Sequence, residues 1–287
     1  MKRLTKEESK RIKQRIETAK KVVLYTILTV IAVFMVIPFL WMLSTSLKEP
    51  GAVFKYPPEW IPKPIVFKNY VDAWNAVPFG RFFINSIIVA VCVTFGQVFT
   101  SSLAAYAFAR LQFPGRDKLF LCYLATMMIP GQVTMIPVFI LLKKLGWIDT
   151  YYALILPGMF TAYGTFMLRQ FFLTIPKDLE EAAIIDGLNR WQIYWKIILP
   201  LSKPALATLS TFVFLGSWND FMWPLIVTNS MEMKTLPVGL ASFQGLYTTD
   251  WTLLMAASMI VLAPVLLVYI FNQRFFTRGI VMTGLKG

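Results

Sequence analysis

The chain has 287 residues, 57% hydrophobic and 15% charged, with a net charge of +13 and a mean hydropathy of +0.61. Soluble domains run at roughly 45–50% apolar and about 25% charged, so this apolar excess is more than one soluble core can bury, and disorder or a disulfide scaffold is excluded. With no histidine, two cysteines and no G-x-x-x-x-G-K-[ST] loop, the sequence also excludes imidazole catalysis, a four-ligand zinc site and ATP binding through such a loop.

Residues 1–21 carry nine Lys and Arg and precede an apolar run, 22–43. That run is too long for a signal-peptide core and no small-residue cleavage site follows, so it reads as a retained membrane span. The next segment, 44–84, holds Pro57, Pro58, Trp60, Pro62, Pro64 and Trp74 and reads as a small extracytoplasmic cap. Span 85–109 carries Asn85, Ser86, Gln97, Ser101 and Ser102, which fit either close helix packing or substrate contact. Cys92 there, and Cys122 in the next span, are expected to be small buried hydrophobes.

Span 119–141 is interrupted by Pro130, Gly131 and Pro137, with Gln132 and Thr134 among them. Proline removes a backbone donor, so a kink or break is predicted near Met128–Pro137. Either a kink in a packed bundle or a pathway-lining break would fit. Span 151–168 follows, and then an amphipathic loop, 174–203, too short and too charged to cross a bilayer. In it, Asp178 and Glu181 resemble a capping box opening one short helix, and Gly187 fits its left-handed C-terminal position. Asn189 and Gln192 can cap a second helix, whose Trp191, Tyr194, Trp195 and Ile198 form one apolar stripe. Span 204–228 contains Asp220, the only acid inside any span, next to Trp218 and Asn219. A carboxylate there should face water, the bundle interior or a partner, and both a pathway role and an interfacial cap remain open. Span 252–271 completes six, before a tail, 273–287.

An even number of spans puts both termini on one side. Twenty of the 28 Lys and Arg fall in 1–21, 110–118, 169–203 and 273–287, so that side is the cytoplasm. The expectation is an all-α membrane protein with a basic extension (1–21), a six-helix domain (22–272) and a cytoplasmic tail (273–287). The charge is an orientation signal, and nucleic acid is not an expected partner.

Glu181-Ala182-Ala183, three residues, Gly187, nine residues, then Ile197-x-Leu199-Pro200 resembles the EAA loop of binding-protein-dependent ABC importer permeases. Asn85-Ser86, Ala104 to Arg110, Phe113-Pro114-Gly115-Arg116, Met128-Ile129-Pro130, Trp218-Asn219-Asp220, Thr235 to Leu240 and Gly284-Leu285-Lys286-Gly287 look like the carbohydrate branch, and most like its shorter, maltose-transporter-type subunit. Leu188, where relatives often have alanine, and the long basic extension depart from that pattern.

The resemblance implies a type I permease core in the bacterial cytoplasmic (inner) membrane. Its partners would be a homologous longer permease, two copies of a P-loop ATPase and an external solute-binding protein. ATP and Mg would be bound by the ATPase, and this chain would hold no cofactor or metal and perform no catalysis. The cargo would be a sugar, oligosaccharide or glycoside-like solute moved by alternating access. Glu181, Ala182, Ala183, Gly187, Asp178, Ile197, Leu199 and Pro200 would form the ATPase-coupling element, with Glu181 the foremost charged contact and Asp178 and Glu180 compensating the helix dipole. Pathway candidates are Met128, Gln132, Tyr163, Asn219 and Asp220. An ion-coupled secondary transporter or channel is the alternative. It should show inverted repeats and several intramembrane charges, and neither is visible.

Overall fold

Helix makes up nearly all the regular structure, and the only extended pairing among the described residues is an isolated bridge, Gln244 to Thr249. The computed structural model describes the backbone of residues 6–245 and 249–284, and the side chains of 14–245 and 249–273. The start of the basic extension (1–5) and the tail residues Leu285-Lys286-Gly287 lie outside the described residues. The chain divides into two units, Met1–Val71 with Asp250–Met259, and Asp72–Thr249 with Ile260–Gly287.

The first unit is dominated by α1 (Lys6–Ser46), whose 41 residues run without a break from the basic extension through the apolar span. At 1.5 Å per residue this helix is about 61 Å long, twice a hydrocarbon core, so its basic part extends beyond the bilayer. Its apolar side chains, among them Phe34 and Met35, are exposed along most of its length, as suits a lipid-facing or partner-facing helix. Burial begins only at Ser44. There Asn69, in α2 (Lys68–Ala76), donates its amide to the Ser46 and Lys48 carbonyls at 2.9 and 2.7 Å, satisfying the end of α1. The Lys48 ammonium lies 3.9 Å from the Trp41 ring centre, and Trp60 packs edge-on to Trp41. Burial lowers the Lys48 pKa, opposed by the charge of Glu59.

In the second unit α3 (Phe79–Arg110) is central, with α7 (Ala162–Leu173) and α11 (Lys203–Trp218) packed along it. Val89, Ala105, Leu168, Phe172 and Leu209 belong to their shared core. The close approach of α3 and α7 rests on small residues. A Cβ on Gly164 would sit 2.6 Å from Ser101 Oγ.

Most polar residues of span 85–109 serve packing. Asn85 donates to the Glu232 and Lys234 carbonyls and accepts from the Tyr151 hydroxyl, Ser86 accepts from the Leu236 amide, and Ser102 pairs with the Tyr194 hydroxyl at 2.7 Å. Cys92 and Cys122 are both exposed, contrary to expectation, because each lies on an outward helix face.

Three described helices are long and apolar enough to cross a bilayer, Gln14–Ser46, Phe79–Arg110 and Trp251–Gln273. The predicted span 119–141 is α4 (Arg116–Ala125), a 3-10 turn and α5 (Gly131–Lys144), bent by 96°. Its break falls at Ile129–Pro130, within the expected window, while Pro137 is accommodated inside α5. Two other spans are less continuous than predicted. Segment 151–168 is a short α6 (Tyr151–Ile155), a 3-10 turn containing Pro157 and Gly158, extended Phe160 and Thr161, and then α7. Segment 204–228 stops at Trp218, where Asn219 and Asp220 leave helical geometry before α12 (Met222–Val227). Polar side chains that compete for backbone hydrogen bonds account for that second break.

Candidate functional site

Two features of the second unit bear on function. The first is an open cavity of about 830 Å³. One wall is α3, through Val93 and Gln97; another is the broken α5 entry, through Gln132 and Thr134; α11 adds Phe212 and Ser217. Tyr163, from the first turn of α7, and Asp220, from the break after α11, complete the polar lining. The cavity therefore forms where three helices are interrupted. Interrupted helices are tolerated at membrane depth where they line a cavity or are buried in protein.

Asp220 is held in place by the element that follows it. Its Oδ1 accepts from the Trp223 amide at 3.3 Å, in the first turn of α12, and the Trp223 indole donates to the Ala153 carbonyl at 2.9 Å. Of the five pathway candidates, Gln132, Tyr163 and Asp220 share the cavity. Met128 points away, 84% exposed, and Asn219 turns its amide back to the Leu215 carbonyl at 2.8 Å. Gln97, Ser217, Phe212 and Trp223 are lining residues absent from the sequence-derived set. Gln97 and Ser217 carried a signal, being polar positions inside apolar helices. The two aromatics carried none, since aromatic residues at helical spacing are ordinarily core. No group of three acidic or cysteine residues that could hold a metal occurs among the described residues.

The second feature is the loop 174–203. Helix α8 (Asp178–Ile185) ends in a Schellman motif, the Leu188 amide donating to the Ala183 carbonyl (2.9 Å) and the Gly187 amide to the Ile184 carbonyl (3.0 Å). Gly187 has φ +83, a conformation that strains any side chain. The next helix, α9 (Arg190–Ile193), opens with the reciprocal Asn189–Gln192 capping box, both bonds at 2.9 Å. It continues through a π-helical turn (Tyr194–Ile198) into α10 (Leu199–Leu201).

Two local expectations fail here. Asp178 is not a cap: helical geometry already begins at Lys177, whose carbonyl accepts from the Glu180 and Glu181 amides. The aromatic stripe is split, with Tyr194 and Ile198 fully buried and Trp191 and Trp195 about half exposed around Tyr194. A π turn over Tyr194–Ile198 widens the spacing within the stripe.

Glu181, Ala182, Asp178, Gly187 and Pro200 are exposed, Ala183 is buried, and Ile197 and Leu199 are half-buried. Glu180 is not a solvated dipole partner. It is buried and forms an ion pair with Arg110 at 2.9 Å, Nε to Oε1, the two side chains 7% and 2% exposed. The Arg110 Nη2 also donates to the Phe172 and Ile175 carbonyls, both at 2.6 Å. One guanidinium thus joins the ends of α3 and α7 to α8.

A helical membrane subunit with a cavity at its broken helices and an anchored loop of short, exposed helices fits a transport permease. Comparison with known proteins agrees. The chain belongs to the family of binding-protein-dependent transport system inner membrane components, which matches residues 97–281. It is 34% identical over 279 residues to the probable ABC transporter permease protein YurM of Bacillus subtilis, covering 94% of this chain and 89% of that one. It is 36% identical over 241 residues to the sn-glycerol-3-phosphate transport system permease protein UgpE of Yersinia pestis, covering 81% and 86%. The arabinooligosaccharides transport system permease protein AraQ of Halalkalibacterium halodurans is 36% identical over 245 residues, covering 85% and 86%. The fold is shared with a chain of a bacterial ABC transporter involved in the import of the acidic polysaccharide alginate. That likeness has a TM-score of 0.81 at 24% identity over 96% of this chain and 100% of that one. The protein is accordingly an inner-membrane transport component, multi-pass and without catalytic chemistry of its own.

Proposed function

We propose that this chain is one half of the membrane pore of a carbohydrate importer, paired with a homologous permease and driven by two copies of a separate ATPase. The cargo is a sugar, oligosaccharide or related glycoside delivered by an external binding protein. Relatives named for arabinooligosaccharides and for sn-glycerol-3-phosphate support a small polyhydroxylated solute. Six spans with both termini in the cytoplasm fit the charge distribution, and place the loop 174–203 on the ATPase side.

The observation that carries this reading is the exposed yet rigid geometry of that loop. Glu181 and Ala182 stand outward on α8, while its other face is anchored through Glu180 and its end is fixed by Gly187. Closure of an ATPase dimer pushing on α8 moves α3 and α7 with it, and α3 and α7 both contribute to the cavity wall. The cavity is thereby exposed alternately to the two sides by rigid-body motion.

The test is reconstitution with the partner permease, ATPase and binding protein. The complete complex should co-purify, and uptake should stop with vanadate. Glu181→Lys and Gly187→Asp should abolish uptake while the subunit remains in the membrane. Full uptake and binding-protein-stimulated ATP hydrolysis in both variants would refute the coupling assignment.

A further inference from the structure

We infer that the cavity selects an uncharged polyhydroxylated cargo and discriminates against anionic ones, with Asp220 as the discriminating residue. This deepens the importer reading and rests on it. Sugars and glycosides come both neutral and acidic, bearing phosphate, uronate or aldonate groups, so the cargo class alone leaves the charge open.

The half of the lining that this chain supplies bears on it. Gln97, Gln132, Thr134, Tyr163 and Ser217 supply amide and hydroxyl groups that donate to or accept from sugar hydroxyls. Tyr163, Phe212 and Trp223 add ring faces that suit the C–H faces of a sugar ring. Among the lining side chains Asp220 is the one acid, and no lysine or arginine is among them. Asp220 is also well placed to act on cargo. Its Oδ1 accepts from the Trp223 amide, which fixes its position on the cavity wall, where as a carboxylate it accepts from hydroxyls and repels anions. Between charges only a few ångströms apart such repulsion is felt even beside water. A phosphate or carboxylate on the cargo finds no cation here and one fixed negative charge.

The experiment uses the complete importer in proteoliposomes. Uptake is measured for arabino-, xylo- and malto-oligosaccharides, each beside its own reducing-end aldonate, together with glycerol-3-phosphate and an alginate trisaccharide. The expected result is uptake of a neutral member at least tenfold faster than of its aldonate or of the other two anions. Because the binding protein also selects, the permease is varied while the binding protein is held constant. Asp220→Asn, which retains an acceptor for the Trp223 amide, should narrow the neutral-to-anion ratio about tenfold. Gln97→Lys leaves the Asp220 hydrogen bond intact, adds a cation to the α3 wall, and should narrow it likewise.

Uptake of an anionic probe at or above the neutral rate overturns the charge assignment. A ratio unchanged in both variants overturns the role of Asp220. Binding-protein-stimulated ATP hydrolysis distinguishes these failures from a failure of the importer reading: it persists in both, and is absent with every probe if the reading itself is wrong.

Discussion

At the scale of single residues, the clearest structural commitment outside the cavity is Asp149, the one described non-glycine residue with positive φ, +63. Its amide donates to the Val227 carbonyl at 2.8 Å, and its Oδ1 accepts from the Asn229 and Ser230 amides at 2.8 and 3.1 Å. One side chain thus pins the loop before α6 to the end of α12, the helix that holds Asp220. Burial raises the Asp149 pKa, but the hydrogen bonds from Asn229 and Ser230 outweigh it and leave the carboxyl below its ordinary value. A depressed folded-state pKa means a stabilisation present above the ordinary carboxylate range and lost as pH falls through the folded value. At neutral pH the bonds are fully formed. Asn tolerates the left-handed conformation and keeps the acceptor, so Asp149→Asn should melt close to wild type. Asp149→Ala loses both side-chain bonds and keeps the strain, at a cost of about 1–3 kcal/mol. Thermal unfolding of the detergent-solubilised protein at pH 7.5 measures both, and equal melting of the two variants would contradict this account.

At the scale of elements, α8 is held by charge as well as by its Schellman end. Removing one member of a buried ion pair leaves the other uncompensated, at about 3–5 kcal/mol. Arg110→Met and Glu180→Met should therefore each reduce both membrane yield and uptake. The double variant should recover part of the yield, because no buried charge remains although the Phe172 and Ile175 carbonyls lose their donor, but its uptake should stay impaired: α8 is no longer joined to α3 and α7. ATP hydrolysis uncoupled from uptake in the double variant is the distinguishing readout. Wild-type uptake there would mean that the pair merely compensates its own burial. The Arg110–Glu180 contact also shows where legibility ended. Gly187 and the Asn189–Gln192 box were readable because left-handed backbone and reciprocal capping depend on residues a few positions apart. Adjacent Glu180 and Glu181 look alike in the sequence, and only the arrival of Arg110 from seventy positions upstream buries one and leaves the other exposed. The split aromatic stripe has a similar origin, since spacing does not say which rings another element covers, and Tyr194 is covered where it meets Ser102 and Tyr106 of α3.

At the scale of the whole molecule, apolar run lengths made the helices legible, and Pro130 made the break in the third run legible. The break at Phe160–Thr161 was not, because apolar composition continues across it while the backbone does not, and the polar pair Asn219–Asp220 was visible but fitted a cap or a pathway residue as well as a break. Those breaks build the cavity together with the one at Pro130, so Gln132 lies at a break legible in the sequence while Tyr163 is brought beside it by one that was not. Orientation is carried by charge instead, and tests the six-span arrangement directly. Twenty of the 28 basic residues fall on segments assigned to the cytoplasm, and moving them through hydrocarbon is the costly alternative. With Cys92 and Cys122 replaced by serine, Tyr56→Cys and Gln112→Cys each give a single reporter at an exposed site, Tyr56 being 91% exposed. A membrane-impermeant maleimide should label Tyr56→Cys in intact spheroplasts. It should reach Gln112→Cys only after the membrane is opened. A third reporter, Gln14→Cys on the basic part of α1, should behave as Gln112→Cys does, because an odd number of crossings separates both from residue 56. Labelling of Gln14→Cys from outside would break the even count on which the orientation of the loop 174–203 toward an ATPase depends.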